Sequence, residues 1–173
     1  MNPVATKRKT VPRKRLRRIP QWRPRRAGSL RILEAPQFAK LNWLVHGFST
    51  RTGGTSELET DRDGRYETEK VLNLGFAEWD TRERVLENRQ NFFAVLNASD
   101  MRQIGMRQIH SDIVRVANSA DAESPVQTAK ADALITNEPG LLLTVQVADC
   151  VPILLADKKR HAIAAIHSGW RGT

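Results

Sequence analysis

The sequence predicts a single domain in which several short strands combine with one amphipathic helix. Short apolar runs at 30–33, 43–48, 71–76, 131–136 and 141–147 alternate with clusters of turn residues, the punctuation expected of strands. Residues 81–96 carry instead a helical repeat. Finally, 173 residues suffice for one proper core and are too few for two domains of ordinary size.

Taken in order, 30–33 reads as an opening strand and WLVHGF at 43–48 as a second. The small residues that follow, with the Gly53–Gly54 pair, predict a tight loop from which Arg51 projects. Backbone N–H groups in such a loop can hold an anion, although an ordinary turn with a solvated arginine is the commoner case. Residues 57–70 are polar without periodicity and read as an exposed excursion, and VLNLGF at 71–76 as a strand. In the helix, Thr81 is the N-cap and Val85, Leu86, Phe92, Phe93 and Leu96 form the apolar stripe. Glu87, Asn88 and Arg89 are assigned to a solvated or capping face. Beyond it, Gln108, Ile109, His110 and Ser111 break two short strands, and residues 117–130 form a loop of small and polar residues. The strands at 131–136 and 141–147 are joined by a four-residue turn, Asn137 to Gly140.

The most informative stretch is 141–173. Apolar runs at 151–156 and 162–166 flank Asp157, Lys158, Lys159 and Arg160, the pattern of a hairpin. With those four as the loop, Ala156 pairs with His161, and the register sets Cys150 across from His167. Directly opposed Cβ atoms lie about 4.5–5.5 Å apart, a separation that a thiolate and an imidazole on one zinc ion can span. His110 is the third candidate to share the site. A Cys-His-His set with an open fourth position is the pattern of a catalytic zinc site. Two other readings of Cys150 stay open: a nucleophile with His167 as its base, and a small buried hydrophobe.

Composition narrows the setting. No apolar run approaches the ~20 residues of a membrane span, and the N-terminus has charges but no apolar signal core. One cysteine excludes an internal disulfide and fits a reducing cytoplasm. The net charge of +9 is concentrated at the start: residues 1–28 hold eleven Lys and Arg and no acid. Such a run is expected to stay disordered unless it meets a polyanion, so nucleic-acid binding is confined to this extension. An appended start without function is the plainer reading, because Pro12, Pro20 and Pro24 interrupt it and only Trp22 can stack.

The segments HGFSTRTGG (46–54), LNLG (72–75), QIHS (108–111), ADALIT (131–136), VADCVPILL (147–155) and HSGWRGT (167–173) resemble the YfiH family, also called the multicopper polyphenol oxidase or laccase-domain family. The resemblance runs from about Leu30 to Thr173, and VADC with HSGWRG is its specific part. It implies a single α+β domain of mixed β-sheets with flanking helices over 29–173, with 1–28 outside it. It also implies zinc, with copper as the alternative, held by His110, Cys150 and His167, which are then the catalytic residues too.

The implied activity is purine nucleoside chemistry: phosphorolysis of adenosine, inosine and methylthioadenosine, and deamination of adenosine. The partners are then purine nucleosides and phosphate. Arg51 and Arg171 are the candidates to hold phosphate, and Asp149 to orient a ligand or move a proton. Zinc-activated water is the reagent that deamination at C6 of adenine needs. The alternatives are a Cys-His hydrolase editing peptidoglycan precursors, a polyphenol oxidase, and a non-enzymatic nucleic-acid binder. The oxidase fits least, since four histidines cannot furnish several coppers. Family members continue beyond HSGWRG, so this chain reads as cut in mid-fold.

Overall fold

The computed structural model describes residues 21–123 and 129–170. Among the described residues, eleven strands and one α-helix make an α+β fold. The strands are β1 (Arg23–Ala27), β2 (Leu30–Glu34), β3 (Phe48–Ser49), β4 (Thr52–Arg62), β5 (Arg65–Val71), β6 (Arg102–Ile104), β7 (Val114–Val116), β8 (Ala133–Thr136), β9 (Leu141–Leu143), β10 (Val151–Asp157) and β11 (Ala162–Ser168). The helix, α1, is Arg82–Val95, between β5 and β6.

They form four small sheets: antiparallel β1–β2–β3, the hairpin β4–β5, the parallel pair β6–β9, and a mixed sheet ordered β10–β11–β8–β7 in which only β7 and β8 run parallel. One apolar cluster, centred on Leu134, Ile104, Met106 and Leu141, packs the mixed sheet against β6 and β9. A second, of Ile32, Leu96, Ala98 and Leu142, joins β2 to the end of α1.

Several expectations are corrected. The basic segment is not wholly unstructured, because its end, Arg23–Ala27, is β1 and pairs with β2 from Arg23 opposite Glu34 to Ala27 opposite Leu30. Of the expected second strand only Phe48 is paired, within β3, because the preceding residues turn inward to line a cavity. The polar excursion is a long hairpin whose turn residues Asp63 and Gly64 both have positive φ, 56° and 78°. That geometry fits a type I′ turn, for which Asp-Gly is a favoured pair. The hairpin takes in Thr52 onwards, so Gly53–Gly54 belongs to β4 and not to a loop. A Cβ on Gly54 would sit 2.3 Å from the Val71 carbonyl oxygen and 2.6 Å from Asn88 Oδ1. The glycine is there for close backbone packing beside a bulge between Thr52 and Ser56. After Val71, residues 72–76 are not strand, and β9 stops at Leu143.

The helix agrees with its sequence pattern except at its centre. Thr81 caps it, its hydroxyl accepting from Arg84 N–H, and Val85 is fully buried. Leu86 is exposed, and Asn88, assigned to solvent, is fully buried. Asn88 lies three residues after Val85 and four before Phe92, on the buried face. Its Nδ2 donates to Ser56 Oγ (2.7 Å) and the Asn73 carbonyl (2.9 Å), and its Oδ1 accepts from Thr55 N–H (2.8 Å) and Thr55 Oγ1 (3.2 Å). Both donors and both acceptor sites are used, which is what burial of an amide requires.

The β10–β11 hairpin forms with a register two residues from the expected one. Asp157 pairs with Ala162, and Pro152, not Cys150, faces His167. Asp157 Oδ1 accepts the N–H groups of Lys159 (2.8 Å) and Arg160 (3.1 Å), and His161 takes φ 50°. This side-chain cap makes Asp157 the last strand residue and moves the loop to 158–161. A two-residue shift keeps every side chain on its face.

Candidate metal centre

Asp132, immediately before β8, organises the site. It is 2% exposed, and its carboxylate gathers donors from two separate segments. The N–H groups of Ile109 (3.2 Å), His110 (2.9 Å) and Ser111 (2.7 Å) all point to it, as does Ser111 Oγ (2.7 Å). From β11, His167 Nδ1 donates at 2.8 Å, and His167 N–H bonds the Asp132 carbonyl at 2.7 Å. Burial alone works against the charged carboxyl, but the Ser111 N–H, His167 and the remaining donors outweigh it and hold the group well below the usual carboxylate range.

An ionised carboxylate only accepts, so Nδ1 of His167 is the donor to it and Nε2 is the nitrogen left to face a metal. The same grip explains the left-handed backbone of His110, φ 58°. Three successive N–H groups turned onto one carboxylate require an unusual loop conformation. His110 and His167 then stand edge to face, with centroids 4.8 Å apart. A Cβ on Gly169 would lie 2.7 Å from His110 Cδ2, so the glycine after Ser168 lets the imidazole come close to β11.

Cys150 completes the group from the bend before β10. Its Sγ is 3.9 Å from His110 Nε2, and one ligand atom from each of His110, Cys150 and His167 can be chosen so that all lie within 4.8 Å of one another. Tetrahedral ligands at about 2.0–2.3 Å from zinc stand roughly 3.5 Å apart, so the set fits a metal with a small contraction. His167, oriented by a carboxylate, is the arrangement that supports metal-bound histidines. Desolvation, then the charge of Asp149 and its hydrogen bond at 3.7 Å, push the Cys150 thiol up. These surroundings do not prepare a free thiolate nucleophile. The donors suit zinc or copper.

Arg51 pairs with Glu69 at 3.1 Å on the β4–β5 hairpin, and Arg171 lies outside the described residues. His46 accepts the Ala35 N–H at Nε2, 2.9 Å, and burial lowers its pKa, as fits a neutral structural imidazole. His161 stacks on Trp43, centroids 4.6 Å apart. Two of the four histidines therefore join the cysteine. A cavity of about 980 Å³ is lined by Val147, Ala148 and Pro152 on either side of Cys150, but by none of the three candidate ligands. A reciprocal amide pair links its rim to the site: Gln108 Nε2 donates to the Gln146 carbonyl (2.7 Å), and Gln146 N–H donates to Gln108 Oε1 (2.8 Å).

Asp132 was not singled out from the sequence, where it is one acid within ADALIT. Its signal was an acid directly before a strand of buried residues, where an unpaired carboxylate would be costly.

An α+β domain that brings one cysteine and two histidines together, one of them braced by a buried aspartate, defines a protein with a Cys-His-His group of the kind that could hold a metal ion. The chain belongs to the family described as multi-copper polyphenol oxidoreductase laccase, whose model matches residues 45–173, and to which YfiH proteins are related. It is 38% identical over 125 residues to a purine nucleoside phosphorylase of Corynebacterium glutamicum, covering 72% of this chain and 47% of that protein. It is 32% identical over 141 residues to the purine nucleoside phosphorylase YfiH of Escherichia coli, covering 81% and 52%. The solved structure of YlmD from Geobacillus stearothermophilus superposes with a TM-score of 0.68 at 27% identity, covering 86% of this chain and 52% of that one. The chain thus spans about half the length of these relatives.

Proposed function

We propose that this chain carries the metal-binding half of a purine nucleoside enzyme, one that cleaves adenosine, inosine or methylthioadenosine with phosphate and deaminates adenosine. The observation that carries the reading is the convergence of His110, Cys150 and His167, both histidines being held by Asp132, in a family with relatives named purine nucleoside phosphorylases. Zinc is the proposed metal, with these three residues as its ligands. When bound, zinc supplies a Lewis acid and lowers the pKa of a coordinated water to about 7.

The chain's own groups supply the rest. Asp132 keeps His167 in one tautomer and fixes its ring. The backbone of residues 109–111 holds His110 in place. Asp149, beside Cys150, accepts a hydrogen bond from the thiol at 3.7 Å and is the group we assign to pass a proton at the open side of the cluster. Phosphate falls to Arg51 and Arg171. Arg51 is available because its pair with Glu69 is exposed, 60% for the arginine side chain, and such a pair is worth under about 1 kcal/mol.

The polyphenol oxidase reading is the weaker one: His46 and His161 are engaged away from the cluster, and several coppers need more histidines than the remaining two.

The test is to incubate the zinc-loaded chain with adenosine, with and without phosphate, and to resolve the products by chromatography beside a Cys150→Ala control. Adenine that forms only with phosphate supports phosphorolysis, and inosine formed without phosphate supports deamination. Either product persisting undiminished in the control would remove Cys150 from the chemistry. Absence of both from the chain, and from one extended past Thr173 with the corresponding part of a relative, would overturn the nucleoside reading.

A further inference from the structure

Phe76 carries two cations. The guanidinium carbons of Arg82 and Arg89 lie 5.0 Å and 4.6 Å from the centroid of its ring. The helix sets this pair: Arg82 is the first residue of α1, and Arg89 follows two turns later on the same face. One arginine over an aromatic ring is an ordinary contact. A second brings a like charge to the first, and among the described residues no carboxylate pairs with either. Arg84 of the same helix, by contrast, bonds Glu57 at 2.9 Å. Of the neighbouring acids, Asp80 is taken up by Ser56, Asn73 and Thr81, and Glu78 and Glu83 pair with neither arginine. Arg82 also stands in the first turn of α1, where the helix dipole disfavours a cation and favours an anion.

Arg89 is the more firmly held of the two. It is half-buried, and its Nε donates to the Leu74 carbonyl at 2.8 Å. That bond fixes the guanidinium and leaves its Nη groups uncommitted among the described residues. Burial, then the charge of Arg82, pull its pKa down, although a guanidinium stays protonated all the same. Arg89 lines the cavity of about 980 Å³. The Leu74 carbonyl that holds it also accepts Gln146 Nε2 at 3.0 Å. Gln146 is in turn locked to Gln108, two positions before His110. The guanidinium is thus fixed on the part of the cavity wall that leads to the candidate metal centre.

We infer that Arg89 and Arg82, held on Phe76, form a binding site for a phosphate group. A guanidinium presents a planar fork that meets two oxygens of a phosphate at once, and the Nη edge of Arg89 is open for it. Two cations also match a phosphate, which approaches two negative charges at neutral pH, better than a carboxylate with one. The inference concerns binding alone and stands apart from the nucleoside reaction, in which phosphate falls to Arg51 and Arg171. Arg51 differs in having a carboxylate partner, Glu69.

The experiment titrates inorganic phosphate, and separately adenosine monophosphate, into the zinc-loaded full chain at constant ionic strength, read by calorimetry and phosphorus NMR. Arg89→Gln is expected to weaken binding about tenfold or more, as loss of a bidentate charge-assisted pair should. Arg82→Gln should weaken it about threefold, as fits an exposed charge. Arg160→Gln, which removes an exposed cation paired with Asp157, should leave it unchanged, and so should Cys150→Ala. Arg82 is exposed, so its variant should keep the melting temperature of the parent and carries the test even if Arg89→Gln does not fold. This pattern with inorganic phosphate makes the free ion the ligand, and the pattern with the monophosphate alone makes it a phosphate ester. Binding of neither compound overturns the proposal, as does a loss in Arg82→Gln no greater than in Arg160→Gln. A loss in Cys150→Ala overturns it too, by placing the phosphate at the metal centre.

Discussion

Asp132 carries more of the candidate site than any of the three residues that would touch a metal. It holds the His110 loop through backbone N–H groups and His167 through Nδ1, so the two candidate ligands that are 57 positions apart in the sequence depend on one carboxylate. Asp132→Asn keeps the shape but replaces one acceptor with a donor that faces other donors. Partners that orient metal ligands typically account for 10–100-fold in affinity. We therefore expect a zinc affinity lower by that factor, measured by competition with a chromophoric chelator. The unpaired N–H groups should also cost about 2–4 kcal/mol of stability in urea unfolding. His46→Ala, at a histidine outside the cluster, should leave zinc affinity unchanged. If Asp132→Asn bound zinc as well as the parent, the bracing role would be wrong. His110, Cys150 and His167 were legible beforehand because few residue types bind metal and this chain has few of them. Asp132 was not, because a buried acid and an exposed one look alike in a single sequence.

Local chemistry and tertiary context separate most clearly among the elements. The helix was readable because its cap and stripe lie within one segment. The β4–β5 hairpin was missed although Asp63–Gly64 signals its turn, since β5 is exposed along most of its length and shows no apolar alternation. The β10–β11 hairpin was found but misregistered, because a side-chain cap decides where the loop starts and the apolar pattern does not. Asn88 escaped because its partners, Thr55, Ser56 and Asn73, come from other elements. The same polar network gives a pH dependence. Burial raises the pKa of Asp80, but hydrogen bonds from Ser56 Oγ (2.6 Å), Asn73 Nδ2 (2.7 Å) and Thr81 N–H (2.9 Å) outweigh it and leave the carboxyl below its ordinary value. A depressed native pKa stabilises above the unfolded value of about 3.9 and is lost as pH falls through the native one. Thermal melting should therefore decline more steeply below about pH 4 in the parent than in Asp80→Asn, which has no charge to lose. Parallel melting curves across that range would show that Asp80 contributes nothing to acid stability.

At the scale of the whole molecule, charge and fold divide the chain at a different place from the one composition suggests. Counting charges put the boundary after residue 28, yet β1 begins at Arg23 and Arg25 pairs with Glu34 at 3.3 Å. No helix among the described residues is long and apolar enough to cross a membrane. Removing residues 1–28 would take away a strand together with the charge and confuse the two effects. Removing residues 1–20 takes eight Lys and Arg and spares β1. If those residues bind polyanions, the truncated chain should elute from heparin at lower salt. Its affinity for duplex DNA should also fall, with a shallower dependence on salt, by about 0.9 in slope for each phosphate no longer neutralised. The melting temperature and zinc affinity should not change. Unchanged heparin elution and salt slope would assign the basic stretch no electrostatic role, whereas a lower melting temperature would make it part of the fold.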